Sequence, residues 1–181
     1  VVARVSDATG ADVRRLAGAD RYATAVEVSR FAFGDGAAEA FVVSGTGFAD
    51  ALSGGAAAAA VSAPILLAAP DGLTDDTSAE LRRLGPEEVT VLGGAASVSA
   101  EVTDQLVAAE LEQNRIAGGD RFETAALVSS SYFASSGVAI MAGGSKFPDA
   151  LAGGAAAAAL GAPLLLSPRA CLPDRVDSEL T

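Results

Sequence analysis

Arginine and aspartate recur at fixed spacing in this chain, and they are the residues best placed to do chemistry. Arg15, Asp20 and Arg21 return as Arg115, Asp120 and Arg121, a hundred residues later. A guanidinium grips a carboxylate or phosphate through two parallel hydrogen bonds, so paired arginines could hold the acidic groups of a polymer. The competing role is structural: Asp20 caps a helix while an Arg ties one module to the next. The structural role is favoured, because an Arg beside an Asp is often already satisfied. A second candidate is the turn Gly45-Thr46-Gly47, which lies where Rossmann-type proteins hold phosphates. Phe48-Ala49-Asp50 follows it. Asp50 in the first turn of a helix would repel a phosphate and answer the helix dipole itself, and no Walker lysine follows. Asp149, with Lys146 near it, stands in the same position in the second copy.

Little else could carry a reaction. The chain has no His, the commonest general base and metal ligand. The single Cys171 cannot form an internal disulfide, and no Cys/His cluster suits zinc. Ser and Thr are plentiful, but activating one would fall to a carboxylate or to Lys146. No catalytic residue, metal or cofactor is expected.

The elements that must position these residues form a repeat. Arg15-Leu16-Ala17-Gly18-Ala19-Asp20-Arg21-Tyr22-Ala23-Thr24-Ala25 matches Arg115-Ile116-Ala117-Gly118-Gly119-Asp120-Arg121-Phe122-Glu123-Thr124-Ala125. Phe48-Ala49-Asp50-Ala51-Leu52 matches Phe147-Pro148-Asp149-Ala150-Leu151, and Ala63-Pro64-Ile65-Leu66-Leu67 matches Ala162-Pro163-Leu164-Leu165-Leu166. The first copy continues through Val91-Leu92-Gly93-Gly94; the second stops short of that block. Three units follow: an unassigned segment over residues 1–13, a first repeat over 14–110, and an apparently truncated second repeat over 111–181.

Each copy alternates strand and helix. Strands are predicted near Arg14–Leu16, Ala40–Ser44, Pro64–Leu67 and Val89–Leu92, with a second-copy strand at Val138–Ala142. Helices are predicted from Asp20 to about Phe33, Phe48 to Val61, Thr74 to Leu84 and Ser97 to Ala109. Asp120 followed by Glu123 resembles a capping box. This alternation reads as α/β: tandem Rossmann-like repeats with parallel sheets flanked by helices. The uncharged stretches Ala51–Pro70 and Ala150–Pro168 are long enough to span a bilayer. Pro64 and Pro163 split each into a helix and a buried strand, so no membrane insertion is expected. The runs Ala56–Ala60 and Ala155–Ala159 read as helix faces kept small for close approach.

Twelve Lys and Arg against twenty-three Asp and Glu give a net charge of −11, which argues against nucleic acid as a partner. In block order and content the chain resembles the cell wall-binding repeat 2 family of surface and secreted prokaryotic proteins. That resemblance implies a Rossmann-like module, commonly in three copies about a pseudo-threefold axis. It implies an extracellular place at the cell wall or surface. It also implies non-covalent attachment to wall polymers, often anionic, with no reaction catalysed. It further implies ligand attachment through Pro64, Ile65, Leu66 and Leu67, and through Pro163, Leu164, Leu165 and Leu166. Arg15, Arg21, Arg115 and Arg121 join them as polymer-binding candidates. With fewer than three copies, the chain would be a fragment, pack on a third repeat, or complete the ring as a homo-oligomer. Two other readings stay open: an assembly scaffold that oligomerises through small-residue faces, and a Rossmann-like nucleotide-binding enzyme.

Overall fold

The computed structural model describes residues 2–180. In chain order the elements are α1 (Val2–Thr9), α2 (Arg21–Ala32), β1 (Glu39–Ser44), α3 (Ala49–Ala60), β2 (Ile65–Ala68), α4 (Asp75–Leu84), β3 (Glu88–Leu92), α5 (Ala100–Ala108), β4 (Gln113–Ile116), α6 (Arg121–Tyr132), β5 (Ile140–Gly143), α7 (Phe147–Leu160), β6 (Leu164–Ser167) and α8 (Asp174–Ser178). The unassigned N-terminal segment therefore contains a helix, and from Arg4 to Asp12 its side chains lie largely exposed.

Strands β2, β1, β3 and β4 form one parallel sheet in that order, with Phe41 opposite Ile65, Val42 opposite Val91 and Leu92 opposite Ile116. Strands β5 and β6 form a second parallel sheet, with Ile140 opposite Leu164. The two faces of β1 explain its apolar run. Ala40 and Val42 join Val26 of α2, Leu81 of α4 and Val102 of α5 on one face. Phe41 and Val43 join Ala57 of α3 and Val128 of α6 on the other. A strand covered on both sides has no need of polar alternation.

One expected strand is absent. Residues 14–16 are irregular, whereas their counterparts form β4. The residue types differ little, so the partner decides: β4 lies along β3, and residues 14–16 have no such neighbour among the described residues. The strand that opens one repeat thus completes the sheet of the repeat before it. The two units interlock as a result.

The small-residue helices also join the units. Helices α3 and α7 pack directly on each other. Ala56 of α3 shares a buried cluster with Ala125 of α6 and with Ala150 and Ala157 of α7. A Cβ at Gly54 would overlap the Leu92 side chain, so glycine lets α3 lie this close to β3 without moving it. None of the described helices is long and apolar enough to cross a bilayer.

Candidate functional site

The repeated Gly-x-Asp-Arg block builds the same turn twice. Asp20 Oδ1 accepts from the amide of Ala23 at 2.8 Å; Asp120 Oδ1 accepts from the amides of Phe122 and Glu123, each at 2.9 Å. These are N-cap bonds, which satisfy otherwise unpaired helix amides. The hydroxyls of Thr24 and Thr124 accept from the amides of Gly18 and Gly118, both at 3.0 Å. Those hydroxyls in turn donate to the carbonyls of Asp20 and Asp120. Glu123 accepts from the amide of Gly119 at 2.7 Å, one residue earlier than a capping box requires. A Cβ at Gly18 or Gly118 would overlap the first turn of the helix that follows. The spacing of the block is thus the spacing of one closed hydrogen-bonded turn.

The arginines fall in different surroundings. Arg21 donates to the carbonyl of Gly45 at 2.6 Å, and Arg121 donates to that of Gly144 at 2.8 Å. Each ties the first helix of its unit to the turn after that unit's first inner strand. Arg115, on β4, donates to the carbonyls of Gly93 (2.6 Å) and Val98 (3.0 Å) across the repeat boundary, and burial lowers its pKa from the ordinary guanidinium value. Arg15 is exposed. Arg21, Arg115 and Arg121 thus each commit a donor to a backbone carbonyl. The Pro-Ile-Leu-Leu residues are core: Pro64 and Leu66 are buried, Ile65 and Leu67 half-buried, and Pro163 through Leu166 all buried.

Between the units is a cleft of about 460 Å³, bordered by Phe48, Asp50, Ser97, Gly119 and Arg121. It lies beyond the carboxyl ends of β1 and β3. From there the chain leaves β1 toward β2 on one side and β3 toward β4 on the other. This is the switch point at which open α/β sheets bind ligands. Asp50 does sit in the first turn of α3, but that helix has no side-chain cap bond. Its carboxylate reaches across to Gly93, whose φ of +106° and missing Cβ leave the room. Burial raises the Asp50 carboxyl above the usual range, against the opposing pull of the Arg121 guanidinium and a hydrogen bond from Ser97. Arg121 lies 5.6 Å from the ring centroid of Phe48, and Phe48 meets Phe147 edge-on at 6.2 Å. Among the described residues no group of His, Cys, Asp and Glu has the arrangement of a metal site. In the sequence Asp50 reads as a helix-dipole residue, and Ser97 and Phe48 carry no signal of their own as site residues. The recurrence of Phe and Asp in the Phe48 and Phe147 blocks was the available signal.

A parallel α/β unit is thus repeated in tandem, with the polar motif of each copy spent on an internal turn. Residues 15–103 and 115–180 match Cell wall binding domain 2 (CWB2), and the chain belongs to that family. It is a cell wall-binding module of surface proteins. It is 32% identical over 155 residues to N-acetylmuramoyl-L-alanine amidase LytC of Bacillus subtilis (strain 168), covering 86% of this chain and 31% of that protein. It is 34% identical over 163 residues to the Amidase enhancer of the same organism, covering 88% of this chain and 22% of that protein. The chain thus spans less than a third of either relative. Among solved structures, Cwp8 from Clostridium difficile superimposes with a TM-score of 0.86 at 30% identity, over 98% of this chain and 31% of that one. Cwp6 from the same organism gives 0.83 at 32% identity, over 93% and 27%.

Proposed function

We propose that this module is non-catalytic and holds a larger surface or secreted protein on wall polymer, including anionic polymer. The carrying observation is the twice-built turn. The Asp and Thr side chains of both copies are spent on backbone groups, and Arg21 and Arg121 each commit one donor to a carbonyl. The match to LytC and the Amidase enhancer over a fraction of their length supports a part carried beside other domains. The Pro-Ile-Leu-Leu strands, buried in the second copy and half-buried at Ile65 and Leu67 in the first, act on attachment chiefly by fixing the sheet. The test is co-sedimentation with purified wall sacculi, before and after extraction of their anionic polymers. Binding that extraction abolishes, with no release of soluble wall fragments, is expected. A protein left in the supernatant of intact sacculi, or one that solubilises them, refutes the reading.

The second unit also supports a place for a third. Strand β1 is paired on both sides, whereas β5 is paired with β6 alone among the described residues. Val42 is fully buried, yet its counterpart Met141 is 42% exposed. Leu52 packs against the inter-unit cluster, yet its counterpart Leu151 is 60% exposed. Another repeat, seated on the second as the second sits on the first, covers this face. In isolation the chain is expected to self-associate through it, and Leu151→Glu should weaken that association in sedimentation velocity. Identical sedimentation of the two proteins at every concentration counts against it.

A further inference from the structure

We infer that the cleft between the two units is a saccharide subsite, selective for an uncharged, hydroxyl-bearing ring of the wall polymer. The inference rests on the wall-binding reading and names what one site of the module takes. The cleft's volume of about 460 Å³ falls in the range of small-molecule pockets, roughly 300–1,000 Å³. Its side chains have complementary uses. The Asp50 carboxylate accepts hydrogen bonds and can serve two neighbouring hydroxyls at once. Arg121 commits one guanidinium nitrogen to the carbonyl of Gly144 and keeps further donors on the same planar fork. Ser97, hydrogen-bonded to Asp50, adds a hydroxyl beside the carboxylate. Phe48, 38% exposed, offers a flat apolar wall for the carbon–hydrogen face of a ring, and its edge-on contact with Phe147 holds it in place.

The charge around the cleft decides against an anion. Asp50 and Asp120 border the cleft with a single guanidinium, that of Arg121, and the whole chain carries −11. A phosphate or carboxylate entering there would meet two acidic side chains. A neutral polyol meets acceptors and donors with no such penalty. The cleft is also composite: Phe48, Asp50 and Ser97 come from the first repeat, Gly119 and Arg121 from the second. A lone repeat has half of it, so recognition depends on adjacent units.

The test uses the whole chain, labelled for amide NMR, with methyl glycosides of glucose, rhamnose and N-acetylglucosamine as probes and inorganic phosphate as the anionic probe. At least one glycoside should shift the amides of Gly47, Ser97 and Gly119. Asp50→Asn, which keeps the side chain's shape, should weaken that binding roughly tenfold or more, as loss of a charged acceptor implies. Phe48→Ala should weaken it independently, with the remaining amide spectrum unchanged as the check on folding. Phosphate moving these amides while no glycoside does overturns the inference, as does glycoside binding indifferent to Asp50→Asn. Silence from every probe overturns it too. If the wild-type chain still sediments with sacculi in those cases, the wall-binding reading stands and only the subsite falls.

Discussion

Removing the carboxylate of Glu80 should cost this protein more stability than removing any other acidic side chain in its first unit. Glu80 lies on α4 and is fully buried. Its Oε1 accepts from Ser29 of α2 at 2.6 Å and from Arg83 at 2.7 Å. Its Oε2 accepts from Arg83 at 2.8 Å and from Arg30 at 3.3 Å. Arg83 also donates to the carbonyls of Phe33 and Gly34 just beyond α2. One carboxylate therefore rivets α2 to α4. Truncating one partner of a buried pair costs about 3–5 kcal/mol. The side chains of Arg30 and Arg83 are 46% and 32% exposed, so both regain water when the carboxylate is gone. The lower end applies: Glu80→Ala should lose about 3 kcal/mol, which for a chain of this size lowers Tm by roughly 6–12 °C. Glu80→Gln keeps the shape and one acceptor and should lose less, about 1–2 kcal/mol.

Urea unfolding followed by circular dichroism measures both, and the repeat supplies an internal control. Glu179 occupies the matching position in the second unit, half-buried and 3.9 Å from Arg175. Glu179→Ala should change stability by under ~1 kcal/mol, since its ion pair is long and its partner Arg175 is 46% exposed. Acid should find the same group. Burial alone would raise the Glu80 carboxyl, but hydrogen bonds from Arg83, Ser29 and Arg30 outweigh it and hold the pKa below the usual range. Its contribution is therefore whole above the ordinary glutamate value of about 4.3 and is lost as pH falls through the lowered one. A Glu80→Ala loss below about 1 kcal/mol, or one equal to that of Glu179→Ala, refutes the reasoning.

Two further perturbations test the repeat's own machinery. Asp20→Ala and Asp120→Ala should each cost about 1 kcal/mol in thermal unfolding, Asp120 somewhat more because it serves two amides instead of one; a neutral pair would deny the capping role. Arg115→Ala leaves the carbonyls of Gly93 and Val98 without their donor and should cost about 1–3 kcal/mol in urea unfolding, while Arg15→Ala, at an exposed position, should cost under ~0.5; equal effects would mean that β4 gains nothing from its arginine.

The elements were legible because their signals are local. Thr74 and Gly85 bracket α4, with Thr74 capping and Gly85 in the left-handed region at φ +60°. The apolar runs of β1 and β2 read as strands and the Gly-Gly-Ala stretches as helices with small faces; the first packs at Ala56, Ala57 and Ala58, while of the second run only Ala157 is buried. Residues 14–16 and 113–116 were not separable, since strand formation there depends on a neighbour that the local sequence does not encode. The cleft was hidden for the same reason. Asp50 beside a helix start reads as a dipole partner until the fold brings Gly93 and Ser97 against it, from more than forty residues away. Arg121, from the other repeat, is more distant still.

That dependence makes the cleft a readout of how the units pack. The Arg121 charge acts on Asp50 because α6 lies against α3, and α6 lies there because Ala56 and Ala125 present methyl groups where larger side chains would hold the helices apart. Ala56→Leu adds bulk to that buried cluster and should cost about 1–3 kcal/mol in stability. It should also act at a distance. Arg121 is the second unit's contribution to the charge at Asp50, and it pulls the carboxyl's pKa down, whereas the Ser97 bond that also lowers it belongs to the first unit. Displacing α6 therefore removes one lowering influence and leaves the other. Followed by NMR of the Asp50 carboxyl carbon, its titration should move from its wild-type position in Ala56→Leu. An unmoved Asp50 in a measurably destabilised variant would show that the cleft is set by the first unit alone, and that the small-residue faces do no more than hold two repeats together.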